Sequence, residues 1–182
     1  MQTKVVVESE RLYVRTWREE DWQSFYRVMS EPAVHVYTAE APWTEEQTQE
    51  MVAWCVEHRL GWEPGYFNCP LIRRASERGG DERLIGRVGL NPFYEQARIP
   101  EIEWTLGSAY WGQGYATEIG RVILRYGFEQ AGFDEIVGFA RPENAASRRV
   151  MVKIGMEYTG DREHDGRTCS FYSARKAAWF FP

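Results

Sequence analysis

The chain has 182 residues, of which 43% are hydrophobic and 27% charged, a composition typical of a globular protein rather than a disordered or fibrous one. Its 27 acidic and 22 basic side chains give a formal charge of −5. Because no long basic run is present, this charge argues against nucleic-acid binding and is compatible with a cationic substrate. The length corresponds to one domain, so we expect residues 1–182 to form a single domain.

Targeting and metal-binding signals are absent from the sequence. No segment is apolar over the roughly 7–15 residues of a secretion signal or the roughly 20 residues of a membrane span. The cysteines Cys55, Cys69 and Cys169 are widely spaced and form no CxxC pair, and the three histidines lack a metal-ligand spacing. We therefore expect a cytoplasmic protein without a disulfide, a catalytic metal or a membrane partner.

The first half of the chain predicts a strand, two helices and two further strands. Arg11–Arg15 alternates polar and apolar side chains, whereas the apolar residues of Glu19–Met29 recur at helical spacing. A second helix is predicted from the capping box Thr44–Gln47, in which two side chains satisfy free backbone donors. Two strands are then predicted at Asn68–Arg74 and Arg83–Leu90.

The second half predicts a strand, a helix, a strand, a helix and two final strands. Asn144 is the predicted N-cap of the last helix. The resulting order is mixed α/β, without the regular βαβ alternation of a doubly wound sheet. The other predicted elements are Ile99–Leu106, Gly114–Gln130, Glu135–Ala140, Met156–Thr159 and Arg167–Ala174.

The most informative segment is the glycine-bearing loop between the strand that ends at Leu106 and the helix that begins near Gly114. A loop that enters a helix can present free backbone N–H groups to an anion. A Walker phosphate loop would require Lys in place of Gln113, and a dinucleotide-binding GxGxxG motif would require Gly in place of Thr117. Two interpretations stay open: a pyrophosphate held by backbone amides alone, as in coenzyme A binding, or a tight turn that merely uses glycine.

Three ordered motifs resemble those of the GNAT superfamily of acetyl-CoA-dependent N-acetyltransferases. They are the strand Glu101–Leu106, the loop Trp111–Ala116, and Asn144–Ser147 followed by Lys153–Met156. The first half is similar as well, and the chain looks like the branch of RimJ/RimL-type ribosomal-protein N-terminal acetyltransferases. The resemblance implies a splayed, mostly antiparallel mixed sheet with helices on both faces. It also implies that acetyl-CoA lies between the fourth and fifth predicted strands.

The resemblance further implies which residues hold the cofactor. Backbone groups of the strand end would pair with the pantetheine arm like an added strand, and amides of the glycine loop would hold the pyrophosphate. Trp111 stands where the family usually has Arg or Gln, and we expect little loss because the backbone makes the contacts. The implied cofactor-binding residues are Trp104, Thr105, Leu106, Trp111, Gly112, Gln113, Gly114, Tyr115, Ala116, Asn144 and Ser147.

Acetyl transfer requires a neutral amine, and a carboxylate is the usual base. Glu101 aligns with the strand-borne catalytic Glu of the family, and Glu103 shares its face and is the second candidate. For both, a solvated or ion-paired strand face is the alternative. A backbone N–H near Leu106 would stabilise the oxyanion.

The general acid of many relatives, a Tyr seven residues after the helix-start Asn, is replaced here by Met151. A thiol with a pKa near about 8.5 leaves as thiolate without much help, so the replacement is tolerable. Tyr158 or Tyr172 could substitute, and neither is assigned.

The acceptor is the least specified part of the hypothesis. In the resembling branch, the loop that carries Tyr37 and Trp43 builds the acceptor site, so these two are candidate substrate contacts. Both a protein N-terminal amine and a small-molecule amine are open as acceptors, and a homodimer is compatible with the family. The replacement at Met151 motivates an alternative function, a non-catalytic acyl-CoA-binding regulatory module.

Overall fold

The computed structural model describes residues 3–38, 40–61, 63–75, 80–93 and 99–179. Within these ranges eight strands and four helices are present. The strands are β1 (Val5–Glu8), β2 (Leu12–Arg15), β3 (Phe67–Arg73), β4 (Arg83–Pro92), β5 (Pro100–Leu106), β6 (Glu135–Ala140), β7 (Glu157–His164) and β8 (Arg167–Arg175). The helices are α1 (Asp21–Met29), α2 (Glu45–Glu57), α3 (Tyr115–Glu129) and α4 (Ala145–Lys153).

Every element predicted from the periodicity is confirmed, with boundaries that differ by a few residues. The capping box at Thr44 is formed in both directions, and the Asn144 side chain accepts the Ser147 N–H at the start of α4. The sequence prediction missed β1, a strand of four residues. Its alternation is masked by three consecutive valines, of which Val7 is buried and Val5 is exposed.

A buried ion pair fixes the start of α1. The Arg15 guanidinium donates to both carboxylate oxygens of Asp21 at 2.6 and 2.7 Å, and the Arg18 N–H donates to the same carboxylate at 2.8 Å. Two parallel bonds between a guanidinium and a carboxylate hold both groups in one geometry. The first turn of α1 is thereby attached to the end of β2.

The strands form one mixed sheet in the order β1-β2-β3-β4-β5-β6-β8-β7. Each neighbouring pair is antiparallel except β5 and β6, which are parallel. Pairing between β5 and β6 is confined to Glu101 and Val137. The rest of β5, toward Leu106, is paired with β4 only. The sheet is therefore open between its two central strands, and the expectation of a splayed, mostly antiparallel mixed sheet is confirmed.

Helices lie on both faces of this sheet. On one face, the Trp43 ring before α2 contacts the Phe25 ring of α1 at 6.3 Å, and the Arg87 guanidinium of β4 lies 5.7 Å from it. On the other face, α3 packs against α4, and Met151 of α4 lies beside Gly138 of β6. Because successive side chains of a strand point to opposite faces, β5 contributes to both environments. No helix in the described part of the chain is long and apolar enough to span a membrane.

Candidate active site

The opening between β5 and β6 leaves backbone groups of β5 without a neighbouring strand. The Gly107 N–H donates to the Ile85 carbonyl of β4 at 3.0 Å, and a Cβ on Gly86 would lie 2.0 Å from the Thr105 carbonyl oxygen. Thr105 and Gly107 therefore face β4. Because alternate residues of a strand direct their N–H and C=O groups to opposite sides, the peptide groups of Trp104 and Leu106 face the opening.

This geometry shows which backbone groups of the implied cofactor-binding strand end face the opening. Of Trp104, Thr105 and Leu106, only the first and the last present their backbone to the open edge, because the Thr105 carbonyl is directed at β4. An extended chain could add to the sheet at the other two residues, as an added strand does at any free sheet edge.

The glycine loop enters α3 at the same end of β5. Gly112 and Gly114 have φ values of +73° and +82°, a left-handed conformation that glycine adopts without strain. Gly114 is the N-cap of α3 and supplies no side-chain cap, and the first backbone bond of the helix joins the Glu118 N–H to the Gly114 carbonyl. The N–H groups of residues 115–117 therefore lack helical partners and point out of the positive end of the helix dipole.

Two side chains of the loop form hydrogen bonds with nearby backbone carbonyl groups. The Trp111 indole N–H donates to the Leu106 carbonyl at 2.8 Å, although its ring is about half exposed. The Gln113 amide donates to the Ala109 carbonyl at 2.7 Å. Trp111 thus occupies one of the two carbonyl groups at the open edge, a side-chain role that the sequence analysis did not anticipate.

The start of α4 lies at the end of β6, across the opening from β5. The Asn144 side-chain oxygen accepts the Ser147 N–H at 3.1 Å, which leaves its amide N–H group as the available donor. Ser147 is half-buried, and Met151 is buried close to Gly138. The position that carries the general-acid Tyr in relatives is therefore filled by an apolar core side chain.

Glu101 lies where β5 and β6 part, on the face that α1 and α2 cover. Burial, followed by the charges of Glu103 and Asp165, raises the pKa of Glu101 from about 4.5 to about 8. A carboxyl group with this pKa exchanges its proton near neutral pH, as a general base requires. Strongly shifted groups of this kind concentrate at functional sites.

Glu103, on the same face as Glu101, is held by neighbours from two other strands. The Asn68 amide of β3 donates to its Oε1 at 2.5 Å, and Arg87 Nε of β4 lies 3.8 Å from the same oxygen. The Asn68 side-chain oxygen is buried without a hydrogen-bond partner among the described residues. A row of polar groups therefore crosses three strands beside Glu101.

The two candidate substrate contacts lie in different surroundings. The Trp43 indole N–H donates to Glu40 at 2.8 Å, and its ring lies beside Arg87 near the row that ends at Glu103. Tyr37 is exposed and lines a cleft of about 260 Å³. The other residues that line this cleft are Val36, Thr38, Arg141, Glu143 and Arg167.

Tyr158 and Tyr172, the two tyrosines considered as general acids, contact each other, and Tyr172 also contacts α4. Their ring centroids lie 5.5 Å apart, and the Tyr172 hydroxyl accepts a hydrogen bond from Arg148 Nε at 3.1 Å. Hydrogen bonding to Asp161 raises the pKa of the Tyr158 hydroxyl. Neither side chain is assigned a catalytic role. No cluster of metal-binding side chains occurs among the residues that the structure describes.

The fold and the sequence both match those of known proteins. A family model described as an acetyltransferase (GNAT) domain matches residues 11–157. The chain belongs to the GNAT acetyltransferase family. It is an acetyl-CoA-dependent acyltransferase.

Individual relatives agree with this family. The chain is 32% identical over 154 residues to the Uncharacterized N-acetyltransferase YnaD of Bacillus subtilis (strain 168), covering 85% of this chain and 84% of that one. A GNAT-family acetyltransferase from Bacillus anthracis superposes with a TM-score of 0.77 at 26% identity, covering 96% and 99%. RimL, a ribosomal L7/L12 alpha-N-protein acetyltransferase solved with coenzyme A, superposes at 0.73 with 15% identity, covering 94% and 98%, which shows a shared fold.

Three residues near the site of this GNAT chain were not selected from the sequence. Asn68 and Arg87 reach Glu103 from other strands, and Arg11 reaches the glycine loop from the start of β2. Nothing local to Arg11 in the sequence indicates its contacts with residues 113 and 118. These contacts arise from strand order, which local periodicity does not reveal.

Proposed function

We propose that this chain transfers the acetyl group of acetyl-CoA directly to a primary amine, with Glu101 as the general base. The observation that supports this most strongly is the position of Glu101. Its carboxyl group, with a pKa of about 8, lies at the last paired residue before β5 and β6 separate. A base at that point can reach an amine that approaches a thioester lying along β5.

The proposed cofactor position follows from the free backbone groups. The pantetheine arm would add to β5 at Trp104 and Leu106, and the pyrophosphate would bind the N–H groups of residues 112–116. Backbone donors at a helix start bind such an anion without a lysine or a metal. Asn144 would donate its free amide N–H to the pantetheine from the opposite side, with Ser147 next to it.

The proposed reaction is a single displacement on the thioester. The amine nitrogen forms a bond to the acetyl carbon, Glu101 takes a proton from that nitrogen directly or through water, and the carbon–sulfur bond breaks. A free backbone N–H at the open edge of β5, near Leu106, would donate to the carbonyl oxygen as negative charge develops on it. Coenzyme A departs as a thiolate. Met151 is apolar and cannot protonate the sulfur.

Glu103 is proposed to attract the acceptor rather than to take its proton. Its carboxylate accepts a hydrogen bond from the Asn68 amide and lies near the Arg87 guanidinium, so its orientation is fixed by neighbouring strands. The unpaired Asn68 oxygen beside it could accept a hydrogen bond from an ammonium or amine group. Two carboxylates on one face therefore divide the work of charge attraction and proton removal.

The proposed acceptors are amines of low pKa, which include protein N-terminal amines and some small molecules. Deprotonating an α-amine with a pKa of about 8 costs roughly 1.4 kcal/mol at pH 7, whereas a lysine-like amine costs about 4–5 kcal/mol. We also propose that the chain belongs to the RimJ/RimL-like branch; the shared fold of RimL, a ribosomal L7/L12 alpha-N-protein acetyltransferase, is compatible with this and with an N-terminal amine as acceptor.

The test is release of free thiol from acetyl-CoA in the presence of an amine panel. The panel contains peptides with free N-termini, N-blocked peptides with a lysine, polyamines and aminoglycosides. Thiol release that depends on one acceptor class supports the proposal and identifies the class. Coenzyme A binding without thiol release from any amine would instead favour the acyl-CoA-binding regulatory module.

A further inference from the structure

The Arg11 side chain joins the start of β2, the first turn of α3 and the glycine loop. Its Nε donates to Glu118 Oε2 at 2.7 Å, and its Nη2 lies 2.6 Å from the same oxygen. Both terminal nitrogens donate to the Gln113 carbonyl at 3.2 Å. The guanidinium also lies 4.5 Å from the centre of the Tyr115 ring.

These bonds determine how the loop presents its backbone. The Gln113 peptide carbonyl lies between two left-handed glycines, and Arg11 holds it through two donors. A carbonyl turned toward a phosphate would repel it, whereas a carbonyl held by a cation on the other side leaves the following N–H groups directed at the anion. The orientation of the loop therefore depends on a side chain about one hundred residues away in sequence.

Arg11 also compensates a charge that would otherwise oppose anion binding. Glu118 lies in the first turn of α3, near the N–H groups that would bind the pyrophosphate. Its carboxylate receives Arg11 through both the side chain and the backbone N–H, together with the Ser9 hydroxyl at 2.7 Å. Although burial acts in the opposite direction, these bonds lower the pKa of Glu118, so this carboxylate is ionised.

We infer that Arg11 is a positioning residue for the pyrophosphate of acetyl-CoA. It acts by holding the Gln113 carbonyl away from the anion and by neutralising Glu118. The inference rests on the proposed cofactor position. It adds that pyrophosphate binding depends on Arg11, the residue that precedes β2. It predicts a defect specific to donors that contain the pyrophosphate.

The experiment compares R11A with the wild-type chain in two measurements. Calorimetry with coenzyme A is expected to give a dissociation constant about 10- to 100-fold higher for R11A, the loss typical of a hydrogen-bonded ion pair. Turnover of acetyl-CoA should show a similar rise in KM with kcat nearly unchanged. Turnover of S-acetyl-pantetheine, which lacks the pyrophosphate and the nucleotide, should be the same in both proteins.

Arg74 provides a matched control. It forms an ion pair with Glu8 and lies 5.0 Å from the Tyr13 ring, and its side chain is 39% exposed against 45% for Arg11. R74A should leave coenzyme A binding within about twofold of wild type, because the Arg74 guanidinium contacts Glu8 and Tyr13 and not the glycine loop. R11K, which keeps the charge but loses the planar fork, should recover part of the affinity. R11A combined with E118Q should recover part of it as well.

Two results would overturn the inference. One is a dissociation constant for R11A equal to that of wild type. The other is an equal loss of acetyl-CoA and S-acetyl-pantetheine turnover in both R11A and R11K, because Arg11 would then support the fold as a whole and not the pyrophosphate. Wild-type coenzyme A binding in R11K would contradict the requirement for the guanidinium fork. Coenzyme A binding without turnover in wild type would count against the proposed reaction alone, because calorimetry still tests Arg11.

Discussion

The two sides of the candidate active site are built in different ways. The proposed cofactor side is largely contiguous: the strand end, the glycine loop and the start of α3, residues 104–118, supply backbone groups, which the side chains of Arg11 and Asn144 supplement. The acceptor side is assembled from side chains on β3, β4 and β5 and on the loop before α2. A backbone site is robust to substitution except where a glycine is required, whereas a side-chain site can change its specificity one residue at a time.

The largest expected effect comes from placing a side chain in the backbone site. G114E introduces a carboxylate and a Cβ at a residue with a φ of +82°, where a side chain is strained and would lie 3.6 Å from Arg11. We expect coenzyme A binding, measured by calorimetry, to fall more than about 100-fold, because the side chain strains the loop whose N–H groups would hold the pyrophosphate and its carboxylate competes for Arg11.

The control for this variant is G132E, which adds the same side chain at a left-handed glycine beyond the other end of α3. Gly132 has a φ of +77° and open space around the position of a Cβ. Its backbone strain is therefore comparable, while its charge is remote from the loop. Equal binding losses in the two variants would contradict the assignment of the glycine loop to the pyrophosphate.

The next effect separates the two carboxylates of the acceptor side. E101Q should lower kcat by about 10²- to 10⁴-fold and remove the rise in rate that wild type shows as pH approaches about 8, because no base then ionises in that range. E103Q should raise the KM for the acceptor and keep a pH-dependent rate, with the midpoint moved to lower pH because the charge of Glu103 no longer raises the pKa of Glu101. Rates measured from about pH 6 to about pH 9.5 distinguish these outcomes.

Both variants should bind coenzyme A like wild type, because neither side chain belongs to the backbone site. A wild-type pH profile in E101Q would remove Glu101 from the mechanism. If E103Q rather than E101Q lost the pH dependence, the roles of the two residues would be exchanged. In either case, coenzyme A binding that is unchanged in both variants would support the separation of a cofactor side from an acceptor side.

The parts of the structure that the sequence predicts are the ones governed by local interactions. Periodicity, the Thr44 capping box and the Asn144 cap are properties of short segments, and all of them are present. Strand order is not local, and neither are the contacts that depend on it. The Asn68–Glu103 hydrogen bond exists because β3, β4 and β5 are neighbours.

Even within the contiguous segment, the sequence does not predict the direction in which individual backbone groups point. The motif Glu101–Leu106 indicated a backbone site, but which peptides face outward depends on the register with β4, where Gly86 lies against the Thr105 carbonyl. Similarly, Trp111 was recognised as a departure from the family pattern, whereas its bond to the Leu106 carbonyl follows only from the shape of the loop.

A different kind of effect is expected on stability, because the fold buries the Glu101 carboxyl group. Its pKa is about 4.5 in the unfolded chain and about 8 in the fold. Between these values the unfolded chain is ionised while the folded chain holds the proton, so this group makes the free energy of unfolding fall as pH rises, with no further loss above about pH 8. E101Q lacks this penalty and should be more stable than wild type by up to about 5 kcal/mol above pH 8, at about 1.4 kcal/mol per pKa unit, and by little near pH 4.

Urea unfolding of both proteins near pH 5 and near pH 8.5 measures this difference, with the exposed E157Q as a control for the loss of a strand carboxylate. A gain in E101Q that is equal at the two pH values would show that the side chain is not held protonated by the fold. A stability gain in E101Q that grows with pH, together with lost turnover, would show that Glu101 destabilises the fold and is required for the reaction. The backbone site should show no such trade-off, since its N–H groups carry no titrating charge.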